Sequence, residues 1–246
     1  FPDMAGVYPY DPAKTDVIDK AKENRLRVLQ QVHFEKGGLG EIDLVLLVNG
    51  IPVITMELKT DNTQSIDDAV KQYKHDRKPN RSSRPLLNPG RCLVHFAVSS
   101  REVMMTTELN GADTVFLPFN QGTEEGRAGN PDNPNGYNVS YLWEWVCSPD
   151  LLLRILKDYA LWEPSTKGNE GRLIFPRFHQ LRSVERVTSD VATKGTGRRY
   201  LIQHSAGSGK TKTIAWLAHR ANKMIHEDGT KLFDCVIVVT DRTVLD

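Results

Sequence analysis

Glu41-Ile42-Asp43-Leu44-Val45-Leu46-Leu47-Val48-Asn49-Gly50-Ile51-Pro52-Val53-Ile54-Thr55-Met56-Glu57-Leu58-Lys59 is the stretch whose reading decides the fold. Two apolar runs flank Asn49-Gly50, a dipeptide that favours the tight turn of a β-hairpin. Leu44–Leu47 and Val53–Met56 suit strands buried on both faces, where charged side chains are rare unless they are paired or functional. Asp43, Glu57 and Lys59 therefore stand out. Strand side chains alternate, so Glu57 and Lys59 share a face. A two-residue turn pairs Val48 with Ile51 and sets Asp43 opposite Met56, which leaves Glu57 on the other face. For Asp43 and Glu57 to meet, the connection needs an odd number of residues or a bulge. A three-residue loop, Asn49-Gly50-Ile51, makes them direct opposites, and Pro52 beside the turn suits that.

An acid in one strand and Glu-x-Lys in the next look like the PD-(D/E)xK nuclease motif. Two carboxylates suit Mg²⁺, a hard ion that prefers oxygen. The metal would polarise a scissile phosphate and generate hydroxide from bound water, with Lys59 orienting that water or stabilising developing charge. Asp43 and Glu57 are thus the expected metal ligands, and Asp43, Glu57 and Lys59 the expected catalytic set. The same three residues alone would also suit a surface ion pair on an amphipathic hairpin; the apolar flanks argue against that. Glu23, Glu35 and Glu41 remain open as a further acidic ligand.

A second motif lies near the other end. His204-Ser205-Ala206-Gly207-Ser208-Gly209-Lys210-Thr211 reads as a phosphate-binding loop between a strand, Tyr200 to Gln203, and a helix, Lys210 to Lys223. Gly207 and Gly209 let the backbone turn and aim N–H groups at an anion, and Ser208 lies between them. The helix N-terminus adds partial positive charge. Lys210 would reach the β/γ-phosphates of ATP, and Thr211 would hold its Mg²⁺. The strict pattern has Gly where this sequence has His204, a variation that superfamily 2 helicases tolerate.

The 246 residues, 39% hydrophobic and 26% charged, suit one or two soluble domains. A net charge of +1 gives no global argument for nucleic acid. Three widely spaced cysteines, Cys92, Cys147 and Cys235, favour reduced thiols and a cytoplasmic setting. No apolar run is long enough for a membrane span. Helices are expected over Asp16–Arg27 and Ser65–Lys78, and from Ser148-Pro149-Asp150, an N-cap with proline at the first helical position, to near Trp162. Further strands are expected at Val28–Phe34, Cys92–Ser99, Val115–Pro118 and Cys235–Thr240. The fold class is α/β: a mixed nuclease sheet flanked by helices over 1–147, a helical linker over 148–171, and the beginning of a RecA-like parallel motor domain over 172–246. The phosphate loop starts so late that one whole domain and the opening of a second are expected.

With both halves in view, the sequence resembles the restriction subunit of type I restriction-modification enzymes. The segments that carry the resemblance are Val48 to Pro52, Glu57-Leu58-Lys59, Leu117-Pro118-Phe119-Asn120, Tyr141-Leu142-Trp143, Pro176 to Gln180, Gln203 to Thr211, and Thr240 to Asp246. The resemblance implies an N-terminal nuclease ahead of a superfamily 2 translocase, acting with ATP and Mg²⁺ on double-stranded DNA beside methyltransferase and specificity subunits. It implies that Gln72 and Tyr73 stand where related nucleases carry Q-x-x-x-Y, and help hold DNA; here Asp76 occupies the motif's tyrosine position. It further implies that Gln180 reads an adenine edge and that Arg242 lies near the DNA backbone. Other helicase–nuclease fusions, in type III restriction or repair, usually place the nuclease after the motor. A non-catalytic DNA-binding or assembly module would have no need of all three of Asp43, Glu57 and Lys59.

Because Lys210 belongs to the motor motif and not to the nuclease, Lys210→Ala in the intact subunit is expected to abolish ATP-driven translocation while leaving the fold of 1–147 unchanged. Translocation assays beside circular dichroism check both halves of that expectation.

Overall fold

The computed structural model describes residues 22–60, 64–123, 125–164, 171–226 and 228–240. Six strands form one sheet in the spatial order of the chain: β1 (Leu26–His33), β2 (Glu41–Val48), β3 (Ile51–Leu58), β4 (Val94–Val98), β5 (Val103–Thr106) and β6 (Leu117–Pro118). Neighbours are antiparallel except β3 and β4, which run parallel. Parallel neighbours need a crossover, and α1 (Ile66–His75) supplies it. Ser65 and Asp68 form a capping box at its start, and Lys74 and His75 sit at the negative end of its dipole.

The central strands β3 and β4 are buried on both sides, while β1 and β6 at the edges are largely exposed. On one face Phe34, Val45 and Ala97 cluster with Ala69 and Tyr73 of α1. On the other face Leu46, Ile54, Met56, Val94 and Phe96 meet a wide helical turn at Leu142–Val146 and α2 (Pro149–Arg154), which a second wide turn extends to Tyr159. A short hairpin, β7 (Leu161–Glu163) with β8 (Arg172–Ile174), leads into α3 (Phe178–Lys194) and α4 (Lys210–Lys223).

The buried cluster on this second face also takes in Phe175, Phe178, Leu181, Val184 and Trp216. The Phe178 ring lies edge-on to Phe119, Tyr141 and Trp145 with centroids 5.7, 4.9 and 5.6 Å away. Trp216 of α4 donates its indole N–H to the Tyr159 carbonyl at 3.1 Å. Asp158, with its side chain 2% exposed, accepts from Arg220 and Lys223 of α4, each at 2.7 Å. Burial favours its neutral form, but the hydrogen bond from Lys223 and the charge of Arg220 outweigh that and hold the carboxyl below the usual range. The elements expected on either side of the 148–171 linker thus share one core.

Several elements depart from the sequence reading. The helix expected over Asp16–Arg27 falls mostly outside the described residues, and its last residues belong to β1 instead, where Leu26 and Arg27 pair with Val48 and Leu47. The helix from Ser148 ends at Tyr159, short of Trp162: Ala160 is extended and Leu161–Glu163 pair with β8. Tyr200–Gln203 and Cys235–Thr240 are not strands. Leu201 is 92% exposed and Ile237 79%. An isolated strand leaves its backbone groups and apolar side chains without partners, and no described strand runs beside either segment. The parallel sheet of a motor core is therefore not formed among the described residues.

Phe178 joins the sheet to the C-terminal helices, so Phe178→Ala is expected to destabilise the chain by about 3–5 kcal/mol. Chemical denaturation of the two proteins measures this, and a loss under about 1 kcal/mol would mean the joint is weakly packed.

Candidate functional site

The β2–β3 hairpin turns on two residues. Asn49 and Gly50 both have positive φ, +53° and +83°, and Val48 pairs with Ile51. That corrects the three-residue loop expected from Pro52. The odd residue enters one step later as a bulge: Leu47 pairs with Pro52 but Leu46 with Ile54, leaving Val53 as the extra residue. Pairing is regular again by Leu44 and Met56. Continued one residue further, this register sets Asp43 opposite Glu57 on one face. The side chain of Asp43 reaches across the pair, accepting the Leu58 N–H on Oδ2 at 2.7 Å. Lys59 follows at the strand end, its N–H bonded to the Val98 carbonyl at 2.8 Å.

Glu57 is 1% exposed, flanked on β4 by Ala97. Its Oε1 accepts from Arg77 Nε at 2.8 Å. Desolvation is the main influence on its carboxyl and pushes it up to about 7; Arg77 opposes that shift, the Asp43 charge adds to it, and Lys59 opposes it. Asp43 and Lys59 thus lie close enough for their charges to act on Glu57. Beneath the site Thr55 Oγ1 lies 2.8 Å from the Tyr73 hydroxyl and 2.7 Å from His95 Nδ1, and burial pushes His95 down to about 4.

The remaining nuclease-side candidates separate. Tyr73, expected on DNA, is fully buried and spends its hydroxyl on Thr55, so it supports β3 from below. Gln72 is half-buried, and its Oε1 has no hydrogen-bond partner. Glu35 pairs with Arg84 at 2.9 Å and Glu41 with His33 at 3.2 Å, so neither joins Asp43 and Glu57. Glu23 is exposed. Among the described residues no group of three or more His, Cys, Asp or Glu is placed to hold a metal. The two carboxylates form a hard oxygen-donor pair, which suits Mg²⁺ where waters and substrate phosphates complete its shell.

Arg77 is the residue that sequence reasoning missed. The signal for it was indirect: a carboxylate in an apolar strand requires a counter-charge. Lys71, Lys74 and Arg77 all follow on α1 or its end, and only the helix terminus selects among them. Both Asp76 and Arg77 donate their N–H groups to the Gln72 carbonyl, at 2.8 and 3.0 Å, which turns the chain back toward the sheet.

The phosphate-loop candidates do come together. Gly207 and Gly209 have φ of +71° and +81°, and Gly209 caps α4. A side chain at Gly209 would also displace Gln180 Nε2, 2.5 Å away, but the positive φ is what calls for glycine here. Gln180 Nε2 donates to the carbonyls of Ser208 and Gly209, at 3.3 and 3.0 Å. His179 donates from Nε2 to the Ser208 carbonyl at 3.0 Å. Ser208 is buried, Thr211 exposed, and Lys210 folds its ammonium onto the carbonyls of His204 and Ser205 at 3.2 and 2.8 Å. An open cleft of about 590 Å³ beside the loop is lined by Gln180, Gly207, Ser208, Gly209 and Lys212. Arg242 lies outside the described residues.

Residues 11–114 match the family described as type I restriction enzyme R protein N terminus. The chain is similar to the type I restriction enzyme SsaAORF53P endonuclease subunit of Staphylococcus saprophyticus, 24% identical over 91% of this chain and 22% of that protein. It is likewise similar to the type I restriction enzyme HindI endonuclease subunit of Haemophilus influenzae, 25% identical over 88% of this chain and 20% of that protein. The chain therefore spans about a fifth of the length of the curated relatives it matches. No helix of the described residues is long and apolar enough to cross a membrane.

The raised carboxyl of Glu57 makes stability depend on pH. A folded-state value of about 7, above the ordinary 4.5, contributes stability that is present at low pH and is lost as pH rises between those values. Glu57→Gln removes the titration. Its melting temperature is expected to gain on the unsubstituted protein by several degrees between pH 5 and pH 8, as thermal scans at the two values would show.

Proposed function

We propose that this chain, whose residues 11–114 match the type I restriction enzyme R protein N terminus, supplies the DNA-cleaving site of such an enzyme together with the ATP-binding loop of its motor. The observation that carries this reading is the hairpin bulge, which sets Asp43 opposite Glu57 with Lys59 beyond them. Asp43 and Glu57 would hold Mg²⁺ and present it to the phosphodiester of double-stranded DNA. When bound, that ion polarises the scissile phosphate and lowers the pKa of its water. Lys59 stands at the end of the same strand to orient the attacking water or to meet negative charge developing on the phosphate.

ATP would lie over Gly207–Thr211, with the backbone N–H groups and the α4 N-terminus facing its phosphates. Lys210 would leave the His204 and Ser205 carbonyls for the β/γ-phosphates, and Thr211 would hold the accompanying Mg²⁺. Gln180, already fixed against the loop, would face the base. DNA translocation by a RecA-like motor, Arg242 near the DNA backbone, and assembly with methyltransferase and specificity subunits are further parts of the proposal. The expected division at 1–147, 148–171 and 172–246 stands within it as a division of roles.

In the full-length subunit assembled with those partners, Asp43→Asn, Glu57→Gln and Lys59→Met are each expected to lower Mg²⁺-dependent cleavage by about a thousandfold or more while ATP hydrolysis persists. The isolated 246-residue chain is expected to nick DNA far more slowly than the ATP-driven complex, since a net charge of +1 gives little hold on a phosphate backbone. Undiminished cleavage by all three variants would point to a non-catalytic module. Equal, ATP-independent cutting by chain and complex would point to a stand-alone nuclease.

A further inference from the structure

We propose that Arg77 is a charge lock on the Asp43–Glu57 site, keeping it neutral so that a divalent cation enters only together with a DNA phosphate. The inference rests on the nuclease reading above and concerns how that site is loaded.

Arg77 is built into place. Its side chain is 11% exposed and is held at three points. Nε donates to Glu57 Oε1 at 2.8 Å and Nη2 to the Glu41 carbonyl at 2.7 Å, and the guanidinium carbon lies 4.9 Å from the Phe34 ring centroid. Such a buried pair is not needed for stability as such, because apolar side chains of similar volume usually serve as well or better. The cation is there because Glu57 is there, and one oxygen of Glu57 is committed to it.

The charges then decide what the site accepts. Asp43 and Glu57 are balanced by Lys59 and Arg77, all acting in one small region. Of the neighbouring acids, Glu35 is taken by Arg84, and the Glu41 carboxylate lies against His33 and not against Arg77. A dication entering this neutral cluster gives up hydration without a net attractive field. Mg²⁺ in particular dehydrates reluctantly and is commonly bound by one or two carboxylates plus substrate phosphates. The described residues offer two carboxylates and no third acidic, histidine or cysteine ligand. A phosphodiester brings the missing negative charge and the missing oxygens at once. Cation and DNA are therefore taken up as a unit, and Arg77 is the residue that enforces this.

The test uses Mn²⁺ as the probe, its bound fraction read by electron paramagnetic resonance on the full-length subunit at pH 8 without ATP. Arms with and without a short DNA duplex are compared. The unsubstituted protein is expected to gain roughly tenfold or more in Mn²⁺ affinity when duplex is added. Arg77→Met is expected to bind Mn²⁺ without DNA roughly tenfold more tightly than the unsubstituted protein, while Arg77→Lys, which keeps the charge, stays DNA-dependent. If Arg77→Met fails to fold, as circular dichroism would reveal, Arg77→Gln carries the same expectation with polar donors retained. Equal affinity with and without duplex in the unsubstituted protein, or no gain in the uncharged variants, overturns the lock. A different result sinks the nuclease reading itself: Asp43→Asn binding Mn²⁺ beside DNA as well as the unsubstituted protein does.

Discussion

Val48 pairs with Ile51 and Leu44 with Met56, and those two pairings force one surplus residue into β3. Everything chemical in the sheet depends on that residue. Without Val53 as an insertion, a two-residue turn would send Asp43 and Glu57 to opposite faces, because strand side chains alternate with a period of two. With it, Val53 and Ile54 both enter the apolar core on the side away from α1, and Glu57 turns toward Tyr73 and Arg77. The same bulge therefore completes one core and positions a carboxylate over the other.

Burying that carboxylate sets the electrostatics that follow. Desolvation dominates the behaviour of Glu57, and the Arg77 guanidinium offsets it without removing it. The layer beneath is polar but closed, with Tyr73 and His95 both bonded to the Thr55 hydroxyl. Such a network fixes β3 firmly, since a buried polar group left unpaired costs on the order of 1–3 kcal/mol. The site is held rigidly from the core side, and the charge it buries is the Glu57–Arg77 pair.

Much of this was legible in the chain. Asn49-Gly50 between apolar runs implied the hairpin, and three charges beside those runs marked the candidate site. The need for an odd residue followed from alternation alone. Its location did not, because Val53 differs in no local respect from its neighbours; Pro52 suggested a longer turn, whereas the two-residue turn and the bulge carry the strand twist together. Arg77 was hidden because its role depends on where α1 ends. Tyr73 misled because an aromatic on a polar helix reads as exposed, and only the packing against Thr55 and Phe116 reveals otherwise. At the candidate phosphate loop Gly207 and Gly209 do turn with positive φ, but Tyr200–Gln203 formed no strand, since sheet structure belongs to pairs of segments and not to one.

The core that runs from the sheet through Phe178 to Trp216 has a consequence for how the chain comes apart. Helices α3 and α4 are bound to the sheet layer by aromatic packing and by the ion pairs of Asp158, so loosening either uncovers apolar surface on the other. The proposed division of roles at 148–171 is not a division of the packed core. The loop proposed to hold nucleotide and the strands that carry the carboxylates are tied to one packed core, so they are expected to melt as one unit.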